Sequence, residues 1–194
     1  MNNLNIHIFG VPIQKYNLKL NTFELIKYFY QLKKNNKGRK LTNEGGWQSN
    51  DLNLKVKELK LLFESLKDPI LNFSKYCKIK TNFNLKINNM WCNINKYKDY
   101  NSQHTHPSCL FSGVYYLKTP KNCGDLCFYN PYHQIVYDWQ DSFIEEFNVF
   151  NSSIWKLPVK ENTLYLFPSW AFHSVNPNLN KKEDRISISF NIAI

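Results

Sequence analysis

Two histidines one residue apart, His104 and His106, stand in the segment Asn101-Ser102-Gln103-His104-Thr105-His106-Pro107. In an extended backbone, residues two apart point to the same side, so both imidazoles can converge on one metal ion. The same pair also fits turn histidines beside a proline. A third histidine, His173, lies much later in Leu164-Tyr165-Leu166-Phe167-Pro168-Ser169-Trp170-Ala171-Phe172-His173-Ser174-Val175. It sits at a predicted strand start among aromatic residues, where an apolar shell limits water around a reactive metal. Three imidazoles suit a first-row transition metal, but zinc, copper, nickel and iron all accept them, so ligand type alone does not choose.

Downstream, Arg185-Ile186-Ser187-Ile188-Ser189-Phe190-Asn191 alternates strictly, with Arg185, Ser187 and Ser189 on one face and Ile186, Ile188 and Phe190 on the other. Of the 25 cationic residues only Arg39 and Arg185 are arginines. An arginine here therefore implies a need for a planar fork rather than for charge alone. A guanidinium grips a carboxylate through two parallel hydrogen bonds, and the Ser187 hydroxyl two residues on can add a third. The competing reading is a surface strand with Arg185 paired to Asp184 or Glu183.

The elements that must carry these groups change character along the chain. A short opening strand is predicted over Ile6 to Ile13, and a helix over Asn21 to Lys34 with Phe23, Ile26 and Phe29 or Tyr30 on one side. Asn35 to Gly46 is polar and glycine-containing, a loop that ends on Trp47 as a buried anchor. A second helix is predicted from Asp51, a plausible N-cap, to Leu66, and a third short one near Asp68-Pro69. From about Asn82 short runs rich in β-branched and aromatic residues alternate with Asn, Gly, Pro and Asp clusters. The predicted strands are Asn84 to Asn95, Cys109 to Leu117, Asp125 to Tyr129, Ser153 to Leu157, Thr163 to Phe167, Phe172 to Val175 and Ile186 to Ile192. Helices followed by many strands argue for an α+β chain whose second half is a sandwich or small barrel.

Several strings together resemble a known family. They are Trp91 through His106, Pro107-Ser108, Ser112-Gly113-Val114-Tyr115-Tyr116-Leu117, Gly124-Asp125-Leu126, Leu166-Phe167-Pro168-Ser169-Trp170 with His173, and Arg185 through Asn191. With Ile8-Phe9-Gly10-Val11-Pro12-Ile13 and Gly46-Trp47-Gln48-Ser49, they cover nearly the whole chain. This ordered set resembles the 2-oxoglutarate- and iron(II)-dependent oxygenases of phages and marine bacteria, in the wider superfamily that includes prolyl hydroxylases.

The resemblance implies a double-stranded β-helix, or jelly roll, in the C-terminal half, with N-terminal helices packed on it. One domain over 1–194 is expected, mainly helical over 1–82 and jelly roll over 83–194. It implies a dioxygenase, a hydroxylase of unspecified substrate, using iron(II), 2-oxoglutarate as co-substrate and O2, with ascorbate as an in vitro reductant. His104 and His173 match the ligand histidines, Arg185 and Ser187 match the groups on the distal carboxylate of 2-oxoglutarate, and Tyr116 matches a phenol on the same carboxylate, while Tyr115 alternates outward. The superfamily usually reads His-x-Asp or His-x-Glu, whereas this chain has His106 at the second position. A three-histidine site of His104, His106 and His173 is expected, with Asp125 and then Asp99 as the candidates if a carboxylate is required.

A net charge of +10 raises the question of nucleic acid, but the lysines are scattered without a run of five, which reads as a solvated basic surface. Nucleic acid is not expected as a partner; the primary substrate is a protein side chain or a small molecule. Five cysteines at irregular spacing imply reduced thiols. The first seven residues lack the features of a secretory signal, and no run of apolar residues is long enough to span a membrane, which together predict a cytoplasmic protein. The alternative to an oxygenase is a jelly-roll metal-binding or structural protein without turnover, such as a virion component.

Overall fold

A computed structural model describes residues 8–80, 82–132 and 138–194. Its central strand is β11 (Arg185–Ala193), whose alternation sets the two environments on either side of it. Ile186, Ile188, Phe190 and Ile192 are wholly buried on one face, and Arg185, Ser187, Ser189 and Asn191 occupy the other. On its flanks β11 pairs antiparallel with β4 (Lys86–Asn95) and β6 (Phe111–Lys118). Beyond β6 come β9 (Thr163–Pro168) and β1 (Gln14–Asn17), and beyond β4 comes β3 (Trp47–Gln48), giving the order β1-β9-β6-β11-β4-β3.

A second sheet has the order β2-β5-β10-β7-β8. Its members are β2 (Asn43–Glu44), β5 (Tyr100–His104), β10 (His173–Val175), β7 (Leu126–Tyr129) and β8 (Ile154–Leu157). From β4 onward the chain crosses between sheets, with β4, β6, β9 and β11 in the first and β5, β7, β8 and β10 in the second. This crossing makes β5 and β10 neighbours despite their distance in sequence. The molecule is thus mostly β-sheet with two helices, an arrangement consistent with a jelly roll.

The helices α1 (Phe23–Asn35) and α2 (Lys57–Tyr76) cover the apolar face of the first sheet. α1 buries Leu25 and Phe29, one turn apart, and α2 buries Leu59, Leu62, Leu66 and Phe73. These side chains meet Met90, Cys92, Ile94, Phe111 and the isoleucines of β11 in one cluster. Full burial of each large apolar side chain contributes about 1.5–3 kcal/mol. A smaller cluster between the sheets includes Val114, Tyr116, Leu126, Phe128, Tyr165 and Phe167. Tyr115, one residue out of phase with Tyr116, points instead into the helix-side cluster.

Several expectations are corrected by the fold. Residues 8–13 form no strand; the opening strand is Gln14–Asn17, just beyond Pro12, while Ile6 and His7 lie outside the described residues. α2 begins at Lys57 rather than Asp51, which is instead 2.7 Å from Arg39 in an ion pair. No separate helix starts at Pro69, because α2 runs through it. Proline costs one ladder bond and about 3 kcal/mol inside a helix, and the buried ring of Pro69 with Leu66 and Phe73 on the same buried side offsets that loss. The segment expected to be loop before Gly46 contains β2, and Trp47 opens β3, so the N-terminal part, expected to be mainly helical, also adds strands to both sheets. The five cysteines are free. Among the described residues no helix is long and apolar enough to cross a membrane.

Candidate metal centre

His104 ends β5 and His173 begins β10, and the two residues face one another in the antiparallel register. His106 follows two residues after His104, its backbone N–H donating to the Ser169 carbonyl at 2.9 Å. One ligand nitrogen from each of the three imidazoles lies within 4.8 Å of the other two. Ring centroids are 4.3 Å apart for His104 and His173, 4.9 Å for His104 and His106, and 5.1 Å for His106 and His173. Metal–imidazole bonds of about 2.1 Å put neighbouring ligands roughly 3 Å apart, so small ring rotations close the set around one ion.

Two of the rings are aimed by the same local device. The Nδ1–H of His104 donates to the Ser102 carbonyl at 2.7 Å, and the Nδ1–H of His173 donates to the Ala171 carbonyl at 2.9 Å. Each bond fixes the tautomer that leaves Nε2 with its lone pair free for a metal. Burial, then the neighbouring His104, holds His106 down to about 4. Burial, with His104 and His106 adding to it, holds His173 down to about 3. His104 is lowered by burial, with its bond to Ser102 acting in the opposite direction. All three rings are therefore neutral near pH 7, the form that coordinates. Phe167 stacks edge-on against His173 at 4.7 Å, and Trp91 lies 5.6 Å from His106.

The histidines line a cavity of about 230 Å³ between the sheets, and Ser187 lines it as well. Arg185, two residues before Ser187 on the same strand face, is 1% exposed and does not itself line the cavity. Its Nη1 donates to the carbonyls of Cys123 and Asn176, the latter at 2.8 Å. Its Nε and Nη2 are buried and have no partner among the described residues. Neither acidic neighbour in sequence pairs with it: Asp184 accepts from the Tyr30 hydroxyl at 3.1 Å, and Glu183 lies 3.0 Å from Lys118. Tyr116 pairs in register with Ser187, and its hydroxyl is likewise buried without a partner. Burial pushes the phenol up, while the positive charge of Arg185 acts against that shift.

The model of the 2OG-Fe(II) oxygenase family matches residues 89–191, more than half of the chain. The chain belongs to that family. No curated protein matches the oxygenase. Among solved structures it is similar to the viral collagen prolyl hydroxylase of Paramecium bursaria Chlorella virus-1 in complex with 2OG, at 16% identity and TM-score 0.61, covering 94% of this chain and 96% of that one. It is similar to a Pseudomonas putida prolyl-4-hydroxylase at 10% identity and TM-score 0.63, covering 94% and 92%. It is also similar to HygX of Streptomyces hygroscopicus with nickel and 2-oxoglutarate bound, at 11% identity and TM-score 0.63, covering 94% and 83%. At such identities these likenesses carry the fold.

Iron(II) and 2-oxoglutarate are the metal and co-substrate of this family, and the oxygenase offers groups that fit both. The histidine triad supplies nitrogen donors of the right chemistry for a divalent transition metal. The unpartnered Nε and Nη2 of Arg185 and the unpartnered phenol of Tyr116 are buried donors that lack an acceptor, which is what a carboxylate provides. The carboxylate candidates do not join the triad. Asp99 accepts the Lys96 backbone N–H at 2.7 Å, and Asp125 lies with Cys123 and Asn176 in a separate surface hollow.

Other residues of the cavity went unnoticed in the sequence. Arg39 and Gln48, joined by a backbone hydrogen bond of 2.8 Å, enter from the N-terminal segment. Asn89, Trp91 and Asn93 enter from β4. The signals were the rarity of arginine and an alternation in β4, where Asn89, Trp91, Asn93 and Asn95 interleave with Met90, Cys92 and Ile94. The aromatic residues Tyr132, Trp139 and Trp155 do not line this cavity and are 42%, 53% and 37% exposed, and His133 lies outside the described residues.

Proposed function

We propose that this oxygenase is a hydroxylase in which His104, His106 and His173 hold iron(II), while Arg185, Ser187 and Tyr116 hold the distal carboxylate of 2-oxoglutarate. The observation that carries the reading is the convergence of three neutral imidazoles from β5, the turn after it, and β10 on the wall of one cavity that Ser187 also lines. The reading extends to a double-stranded β-helix core over 83–194 within one domain spanning 1–194, working in the cytoplasm, where free thiols such as these persist.

Each residue has a physical task. Burial keeps the imidazoles unprotonated, and the carbonyls of Ser102 and Ala171 hold two of them in a single tautomer. Arg185 keeps Nη1 on two backbone carbonyls, which fixes its fork so that Nε and Nη2 meet a carboxylate at little conformational cost. Tyr116 and Ser187, side by side on adjacent strands, add hydroxyl donors to the same carboxylate. Phe167 and Phe128 exclude water on the His173 side. When bound, iron(II) with 2-oxoglutarate and O2 supplies the oxidising chemistry, inserting one oxygen atom into a substrate C–H bond as the co-substrate leaves as succinate and carbon dioxide.

Succinate production with iron(II), ascorbate and 2-oxoglutarate tests the proposal. Turnover is expected in the native chain and none in His173→Ala; turnover without metal, or equal turnover in the variant, refutes it.

A further inference from the structure

The inner face of the first sheet carries a second set of buried polar atoms without partners, apart from those assigned to 2-oxoglutarate. Arg39 Nε, Gln48 Oε1, Asn89 Oδ1 and Asn93 Oδ1 are all buried and have no hydrogen-bond partner among the described residues. All four side chains line the cavity that holds the histidine triad. Gln48 and Asn93 are 2% and 4% exposed, and both face this cavity rather than the outer surface. Leaving one such group unpaired costs about 1–3 kcal/mol, and several gathered at one wall of one cavity mark a place for a polar ligand.

Arg39 is held there by construction. Its backbone N–H donates to the Gln48 carbonyl, its Nη2 is 2.7 Å from Asp51, and its guanidinium carbon stands 5.9 Å from the centre of the Trp91 ring. Trp91 in turn lies against His106, so one indole separates the guanidinium from the metal triad. The preceding Gly38 has a φ of 72°, and a side chain there would strike the Gln48 carbonyl and the Trp47 ring. Glycine therefore permits the tight approach that delivers Arg39 to the cavity. Among the described residues no carboxylate lines the cavity, and Arg39 is the one arginine or lysine there, beside the neutral amides of Gln48, Asn89 and Asn93.

Resting on the reading that the triad holds the metal, we propose that the primary substrate is a small polar acid, a free amino acid or hydroxy acid. Its carboxylate is received by Arg39, and its N–H or O–H groups meet the amides of Gln48, Asn89 and Asn93. A charged fork beside neutral amides selects an anion with adjacent donors, and a free acid offers both at one carbon, whereas a residue inside a polypeptide has lost its α-carboxylate to the peptide bond. The cavity volume of about 230 Å³ must serve two ligands and falls below the roughly 300–1,000 Å³ usual for drug-sized ligands, which favours a small molecule over a peptide.

The test is calorimetry on the full chain loaded with zinc(II) and 2-oxoglutarate. The probes are the free L-amino acids, L-malate and L-lactate, the carboxamide of every acid that binds, and one proline-containing peptide. At least one acid is expected to bind, with its carboxamide at least about tenfold weaker, and Arg39→Gln is expected to weaken that acid by about 10- to 100-fold, more than it weakens 2-oxoglutarate. Asp51→Asn, which removes the partner of Arg39 but keeps the cation, retains acid binding. If Arg39→Gln does not fold, Arg39→Lys is read instead, and unchanged acid affinity there overturns the inference. Binding of 2-oxoglutarate with no acid bound, binding of the peptide alone, or equal losses of acid and 2-oxoglutarate in Arg39→Gln overturns the inference and spares the oxygenase-site reading. Failure of 2-oxoglutarate itself to bind sinks both.

Discussion

The two faces of the first sheet share the same strands and are built on opposite rules. Toward the helices, β11 presents Ile186, Ile188, Phe190 and Ile192, all at 0% exposure and in one continuous cluster. Toward the second sheet, the same strand presents Arg185, Ser187, Ser189 and Asn191. Part of this inner face is internally satisfied: the Ser112 hydroxyl donates to Asn191 Oδ1 at 2.8 Å and lies 2.8 Å from the Ser169 hydroxyl. The rest is left open, with atoms on Arg39, Gln48, Asn89, Asn93, Asn95, Tyr116 and Arg185 that have no partner among the described residues. A face that only had to fold would be expected to close those bonds, since each open one costs stability. The helix side is where the fold gains its stability, and the inner side is where stability is given up for binding.

Substitutions on the two faces should therefore fail differently. The largest effect is expected from His173→Ala, which removes a buried metal ligand. Iron retained after gel filtration should fall by more than about a hundredfold in affinity, beyond the 10–100-fold typical of losing a mere supporting partner, and succinate production should vanish while the fold persists by circular dichroism. On the opposite face, Phe190→Ala should lower the unfolding free energy in urea by about 3–5 kcal/mol. Its folded fraction should keep its affinity for 2-oxoglutarate; a selective loss of that affinity would break the separation between faces. Arg185→Leu should weaken 2-oxoglutarate binding by about 10- to 100-fold, the worth of a charge-assisted pair, read as a raised KM and a lost thermal shift.

Acid gives a smaller and graded effect in the metal-free protein. His106 and His173 are held down to about 4 and about 3, so between those values and the unfolded value of about 6.5 the unfolded chain binds the extra protons. Stability then falls as the pH falls through that window, by about 1 kcal/mol per histidine between pH 7 and 5.5, and metal should restore it. A melting temperature flat across that window would contradict the buried, neutral triad. The smallest effect has the opposite sign. Asn95 is 1% exposed with both side-chain amide atoms unpartnered, so Asn95→Leu should raise stability by up to about 1 kcal/mol.

The contrast was partly legible in advance. The strict alternation from Arg185 to Asn191 announced β11 and its two faces, and the predicted strands after residue 84 coincide with β4, β6, β7, β8, β9, β10 and β11 to within a few residues. The first helix was legible too, but not its buried side: Phe23, expected there with Ile26 and Phe29 or Tyr30, is 67% exposed, and Leu25 and Phe29 are the residues that the helix buries. The start of α2 and its passage through Pro69 were not, because tertiary burial of Leu66 and Phe73 overrides a local stop signal. β2 and β3 were hidden because two-residue strands have no periodicity to read.

Alternation and residue type, which are local properties, by themselves determined which side chains are apolar anchors and which are histidine, arginine or hydroxyl groups sharing a strand face. Tertiary structure alone decided that His104 and His173 stand opposite each other, since their register depends on chain crossings between the sheets that no short window records. It alone kept Asp125 and Asp99 away from the triad and brought Arg39 up beside Trp91. The physical reason is that coordination and ion recognition act over a few ångströms, and only the folded chain brings distant residues within that range.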